Sequence, residues 1–396
     1  SDHMSENNVK DMIGKVFNDI ANSLETGRFG ERVRVGITTF GSELGIENIV
    51  KGAEIAQKRD DGLEVVLIGE KVDSKLTQEI VKTDEEGYKK MEELLDKGEI
   101  GACVTQHYSF PIGVSTVGKV ITPGFGREMF IATTTGTSSS HRVEAMVKNG
   151  IHGIIAAKAM GIENPAVGIL NVDGARQVER IYKELISKGY SINFTESQRA
   201  DGGAVMRGND LLIGTPDVMI TDTLTGNILM KVFSSFTTGG SFESQGYGYG
   251  PGIGEDYDRT ILILSRASGT PVVANAISYA ADLLRGNLGK FAKEEFEKAN
   301  KAGLSEILKN SNKEVKKEEI GQEIIAPLKE TVTGTIEGID IMELEDAVKV
   351  LWKEGIYAES GMGCTGPIVM VNENRINESL KFLAKAGYDV GEPEDC

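Results

Sequence analysis

Residues 32–69 place the tightest constraint on the fold. RVRVGITTFG reads as a buried strand, GIENIVKGAEIAQKRD carries helical periodicity, and LEVVLIGE reads as a second strand. Two strands joined through one helix over so short a span form a βαβ unit, which requires a parallel sheet covered by helices. The rhythm continues. DEEGYKKMEELLDKG predicts a helix, IGACVTQ and REMFIATT strands, and SHRVEAMVKNGIHGIIAAKAM one or two helices. PAVGILNV predicts a strand, ARQVERIYKELISKG a helix, and DVMITD a strand; DRTILILS and TPVVANA follow. The expected fold is α/β, a three-layer αβα arrangement with a mostly parallel sheet.

At 396 residues the chain is long enough for two or three domains or one large discontinuous fold. The expected division has four parts. Residues 1–31 hold SDHM, which reads as an expression scar, and a helix over 8–27 that stops at Gly27. Residues 32–290 form the αβα core. Residues 291–335 are dense in Glu and Lys, which predicts a solvated helical hairpin or a partner surface. Residues 336–396 resume the alternation, with MELEDAVKVLWKEG a helix, IYAES a short strand, GMGCTG a loop, PIVMV a strand and NRINESLKFLAKAG a helix.

Charge narrows the partners. A formal net charge of −17 disfavours nucleic acid and anionic lipid, so an anionic substrate has to enter through a local positive pocket. No run reaches the ~18 apolar residues of a membrane span, and the polar start predicts no signal peptide. Three cysteines, Cys103, Cys364 and Cys396, are too few and too scattered for a disulfide framework; a reducing cytoplasm is the expected location.

Walker loops, G-x-S-x-G elbows and H-E-x-x-H pairs are absent. His107, His141 and His152 are too scattered to predict a metal site, and Cys103 beside His107 lacks further nearby ligands. Gly361-Met362-Gly363-Cys364-Thr365-Gly366 matches G-x-G-x-x-G in form, but Pro367 and a strand follow where a nucleotide site needs a helix. The same loop exposes its cysteine. Glycines on either side leave the Cys364 thiol open to a substrate carbonyl, and adjacent amides, those of Gly363 and Thr365 among them, are placed to hold an oxyanion. The structural alternative is a small buried cysteine at a tight turn.

TTTGTSSSHR, residues 133–142, follows a strand and opens a helix. Thr137, Ser138, Ser139, Ser140, His141 and Arg142 are phosphate-binding candidates there, because free helix amides and the helix dipole favour an anion. Capping alone also explains the hydroxyls. In DVMITDTLTGNILMK a strand ends at Asp222 and a helix is expected near Ile228, capped by Asn227, with Thr225 and Gly226 in the turn. These positions lie beyond the carboxyl end of a strand, where open parallel sheets bind ligands. GGSFESQGYGYGPGIGE, residues 239–255, reads as a mobile surface loop, with a lid as the alternative.

PDVMITDTLTGNILMK resembles the D-G-x-T-G-N segment of phosphate acyltransferases and the T-G-N-I segment of phosphotransacetylases, and GIENPAVGILNV resembles the phosphate acyltransferase segment before it. That resemblance, over residues 60–285, implies an isocitrate/isopropylmalate-dehydrogenase-like fold and acyl transfer between thioesters and phosphate. ESGMGCTGPIVMV, with the chain length, looks like the alpha subunits of component C of the glycine/sarcosine/betaine reductase complex. This implies an acetyl thioester carried on Cys364, formed by reductive cleavage of a carboxymethyl-selenoether on selenoprotein A and discharged by inorganic phosphate as acetyl phosphate. No coenzyme is then needed. A companion beta subunit, and hence a hetero-oligomer, is implied, with the 291–330 segment as a docking surface. Asp222 is expected to orient a donor or thiol partner, and Cys103 and His107 to support the site. The alternatives are a coenzyme-A- or acyl-carrier-dependent phosphate acyltransferase, in which Cys364 is dispensable, and a non-catalytic scaffold subunit.

Overall fold

The computed structural model describes residues 6–26, 32–198, 203–320, 324–363 and 366–390. The chain divides into two compact units, Ser1–Lys309 and Asn310–Cys396.

The first unit opens with helix α1 (Glu6–Thr26) and strand β1 (Val33–Thr38), then α2 (Ile46–Lys58) and β2 (Leu63–Gly69). Next come β3 (Thr77–Ile80), α3 (Asp84–Asp96), β4 (Ala102–Thr105), β5 (Val114–Ile121) and β6 (Glu128–Thr137). Helix α4 (Arg142–Ala159) is a single helix and leads to β7 (Ala166–Leu170), α5 (Ala175–Ser187), β8 (Asn193–Phe194) and β9 (Val205–Met206). After α6 (Gly208–Ile213) follow β10 (Val218–Ile220), α7 (Thr223–Ser235), β11 (Gly250–Ile253) and β12 (Ile261–Ile263). Helices α8 (Thr270–Arg285) and α9 (Leu288–Lys301) close the unit, and α10 (Leu304–Ile320) crosses into the second. TPVVANA therefore opens a helix: Pro271 sits in its first turn, where a missing amide hydrogen costs nothing.

Twelve strands form one sheet in the order β3-β2-β1-β4-β12-β11-β5-β6-β10-β7-β8, with β9 also on β7. Most neighbours are parallel, as expected. The β12–β11, β11–β5 and β5–β6 pairs are antiparallel. Three reversals leave the parallel block β6-β10-β7 running opposite to β2-β1-β4-β12. Alternation along each strand divides the core between the two faces. In β2, Val65 and Leu67 join one cluster with helices α2, α4, α8 and α9, whereas Val66 and Ile68 join another with Met91 of α3 and Phe233 of α7. Helices on both faces complete the αβα layering.

The charged stretch after residue 290 is only partly solvated. Helix α9 buries Glu295, Phe296 and Ala299 on one face. The Glu295 carboxylate, 1% exposed, is held by Lys158 and the Tyr190 hydroxyl. The 239–255 segment also departs from the surface-loop expectation, because Glu243 and Tyr249 are buried and Tyr247 is half-buried against Tyr279.

The second unit holds β13 (Gly334–Ile336), α11 (Leu344–Lys353), β14 (Ala358–Gly363), β15 (Gly366–Val371) and α12 (Ile376–Lys385). Its sheet is antiparallel, β13-β15-β14, over a core that includes Leu351, Val369 and Leu383. Gly361, Met362 and Gly363, expected in a loop, belong to β14 and pair with Ile368, Pro367 and Gly366.

Candidate functional site

Helix α7 starts at Thr223, earlier than Ile228, because Asp222 is its N-cap. The Asp222 carboxylate accepts the Thr225 amide at 3.0 Å and the Thr225 hydroxyl at 2.6 Å. Arg142 adds an ion pair at 3.2 Å and also donates to the Asp173 carbonyl. Burial pushes the Asp222 carboxyl pKa up, but the two Thr225 hydrogen bonds and the Arg142 cation outweigh it and hold it below the usual carboxylate range. Arg142 and Thr225, both phosphate-binding candidates, are thus each engaged with the Asp222 carboxylate.

Asn227 lies inside α7 and is not its cap. Its amide donates to the Thr134 carbonyl at 2.9 Å. Gly226 allows α7 to approach β6 closely, since a Cβ there would stand 1.7 Å from the Thr133 carbonyl oxygen.

The hydroxyl run splits in two. Ser138 is buried, with its hydroxyl 2.5 Å from Asn149 Oδ1 and 2.7 Å from Ser115 Oγ. Ser115 in turn contacts His152 Nδ1 at 2.8 Å. Ser138 is therefore a core residue. Thr137, Ser140 and His141 are exposed, and Ser139 accepts the His141 amide at 3.2 Å. His141 occupies the N-cap position of α4 without a side-chain cap bond.

A cavity of about 350 Å³ brings together His107 and Asn227. Residues just past the carboxyl ends of β4 and β12 supply Gln106, His107 and Arg266; β6 supplies Thr135; one face of α7 supplies Asn227 and Lys231; and Tyr249 precedes β11. Two cations, Lys231 and Arg266, line the cavity against one carboxylate, Glu43, and among the described residues neither cation forms an ion pair. Thr38 donates to Gln106 Oε1 at 3.0 Å, while the buried Gln106 Nε2 has no hydrogen-bond partner. Two cations and several neutral donors around one open cleft, outnumbering its single carboxylate, suit a small anion.

Lys231, Arg266, Gln106 and Tyr249 were not singled out by the sequence reading. Lys231 was within reach, since it follows Asn227 by four residues and so shares its helix face. Arg266 and Tyr249 carry no local signal.

Cys103 is fully buried on β4 in the same apolar cluster as Ile100 and Ile68, and burial pushes its thiol pKa far up. It is a core residue and cannot act as a supporting thiolate at neutral pH. Gly363 ends β14, paired with Gly366. Cys364 and Thr365 lie outside the described residues. Among the described residues no group of three or more His, Cys, Asp or Glu side chains is placed to hold a metal ion, and no helix is long and apolar enough to cross a membrane.

Residues 33–370 match the sequence family described as "Fatty acid synthesis protein". The chain is 65% identical over 379 residues to the glycine/sarcosine/betaine reductase complex component C subunit alpha of Peptoclostridium acidaminophilum, covering 96% of this chain and 98% of that one. It is 27% identical over 238 residues to a phosphate acyltransferase of Thermotoga petrophila, covering 51% of this chain and 67% of the relative. A solved branched-chain phosphotransacylase from Enterococcus faecalis superposes with a TM-score of 0.45 at 16% identity, over 64% of this chain and 99% of that one. With identity sustained from end to end, the chain belongs to the fatty acid synthesis protein family and, in it, stands with the component C alpha subunits of the glycine/sarcosine/betaine reductase complex.

Proposed function

We propose that this protein is the acyltransferase subunit of a glycine/sarcosine/betaine reductase complex, holding an acetyl group as a thioester on Cys364 and releasing it as acetyl phosphate. The observation that carries the phosphate half of this reading is the cavity lined by Lys231 and Arg266, neither in an ion pair among the described residues, with Asn227 and His107. Inorganic phosphate is its expected occupant. The similarity to phosphate acyltransferases supports the same reaction class.

In the reaction, a phosphate oxygen attacks the thioester carbonyl, a C–O bond forms, and the C–S bond breaks with the electron pair leaving on sulfur. Thiolate is a good leaving group and phosphate is already an anion near neutral pH, so positioning and charge stabilisation matter more than a strong base. Lys231 and Arg266 are the groups proposed to hold phosphate. The acetyl group is proposed to come from a selenoprotein A partner, with a companion beta subunit completing component C in the cytoplasm.

Mass spectrometry of the protein after incubation with acetyl phosphate tests the reading. The expected result is a single acetyl adduct on the peptide containing Cys364, discharged by added phosphate and absent from Cys364→Ser. An unmodified Cys364, with acetyl phosphate formation that requires coenzyme A, would favour the coenzyme-dependent alternative instead.

A further inference from the structure

Tyr249 lines the cavity, Glu243 stands behind it, and neither has a place in the chemistry above. Tyr249 is pinned at its backbone: its amide donates to the Ile263 carbonyl at 3.0 Å, and its carbonyl accepts the Thr134 hydroxyl at 2.7 Å. The next residue, Gly250, has φ 83° and presses against β5, where a Cβ would lie 1.7 Å from the Val117 carbonyl oxygen. That turn fixes where the tyrosine ring points. Its hydroxyl sits 3.0 Å from Glu243 Oε1 and 3.1 Å from Lys231 Nζ.

The proton of that hydroxyl can serve only one of these neighbours. Lys231 has no lone pair, so the proton goes to Glu243 and the phenol oxygen accepts from the ammonium. Burial, reinforced by the Glu243 carboxylate, pushes the Tyr249 pKa far above its ordinary value, so the hydroxyl stays protonated. Glu243 is itself buried and 2.6 Å from the Ser234 hydroxyl, on the same helix as Lys231. A fixed chain therefore runs from carboxylate to phenol to ammonium. A free lysine side chain samples many rotamers, and holding it in one lowers the cost of ordering it around a ligand.

We infer that Tyr249, backed by Glu243, is a positioning residue that aims the Lys231 ammonium at the anion in the cavity. This rests on the reading that inorganic phosphate binds there. Tyr249 acts through Lys231.

A double-mutant cycle on the full chain tests the inference, with inorganic phosphate affinity measured by calorimetry. Lys231→Ala and Tyr249→Phe are each expected to weaken binding about tenfold. In the Lys231→Ala background, Tyr249→Phe is expected to have no further effect. A structural role for the tyrosine would weaken binding equally in both backgrounds, and that result overturns the inference. Wild-type affinity in Tyr249→Phe alongside a weakened Lys231→Ala also overturns it while sparing the phosphate reading. Wild-type affinity in Lys231→Ala removes both. If Tyr249→Phe fails to fold, Glu243→Gln carries the same cycle with the same three outcomes, because it weakens the acceptor that fixes the phenol proton.

Discussion

Asp222 shows how one side chain can be read correctly for position and wrongly for role. It sits at the end of a strand, as the sequence predicts, and its carboxylate then caps α7 and binds Arg142. Removing it leaves the Thr225 amide and the Arg142 cation without their partner. Asp222→Ala is expected to lower stability by about 1–2 kcal/mol, the usual cost of a lost N-cap, as read by urea unfolding. Arg142→Ala should show a smaller loss, because that cation is exposed and screened. The cap was misplaced onto Asn227 because Asp, Thr and Asn all serve as caps, and sequence alone does not choose among neighbours. Cys103, expected to support the site, is instead fully buried in its strand, because its apolar neighbours close over it.

Elements with local periodicity were legible. Strand β1, helix α2 and strand β2 lie where their apolar spacing puts them, because each depends on contacts along its own length. The segment before β11 was not, since Tyr247 and Tyr249 pack on distant partners, Lys119, Tyr279 and Lys231 among them. The cavity shares that obstacle: its lining comes from β4, β6, α7 and β12, and only the α7 pair has a spacing visible in sequence. The α7–β6 contact itself has little slack. Gly226→Ala forces the helix off the strand, so a loss of at least 3 kcal/mol is expected, in the upper range for point substitutions. It should also displace Asn227 and Lys231 and weaken phosphate binding. Retained stability together with wild-type phosphate affinity would show that α7 can shift without cost.

The stability of the whole molecule has a built-in pH dependence. His152 is fully buried between Ser115 and Phe296, and burial lowers its pKa from 6.5 to about 3. In the unfolded chain the imidazole takes a proton near pH 6.5; in the folded protein it stays neutral until about pH 3. Between those values the unfolded state binds more protons, so stability falls as pH falls. Unfolding free energy from this group is expected to drop by about 2 kcal/mol between pH 7 and pH 5. His152→Asn, although less stable at neutral pH, should lose that part of the slope; an unchanged slope would assign the acid sensitivity to other groups.

Strand β12 has a consequence for how the chain is made. It lies between β4 and β11, yet it is the last strand of the first unit to be synthesised. As the polypeptide leaves the ribosome, β4 therefore keeps a bare flank, with unpaired amides and carbonyls, while everything from β5 to β11 emerges. The half of the sheet begun first is sealed last, which makes that waiting edge the point where a nascent chain is most open to mispairing.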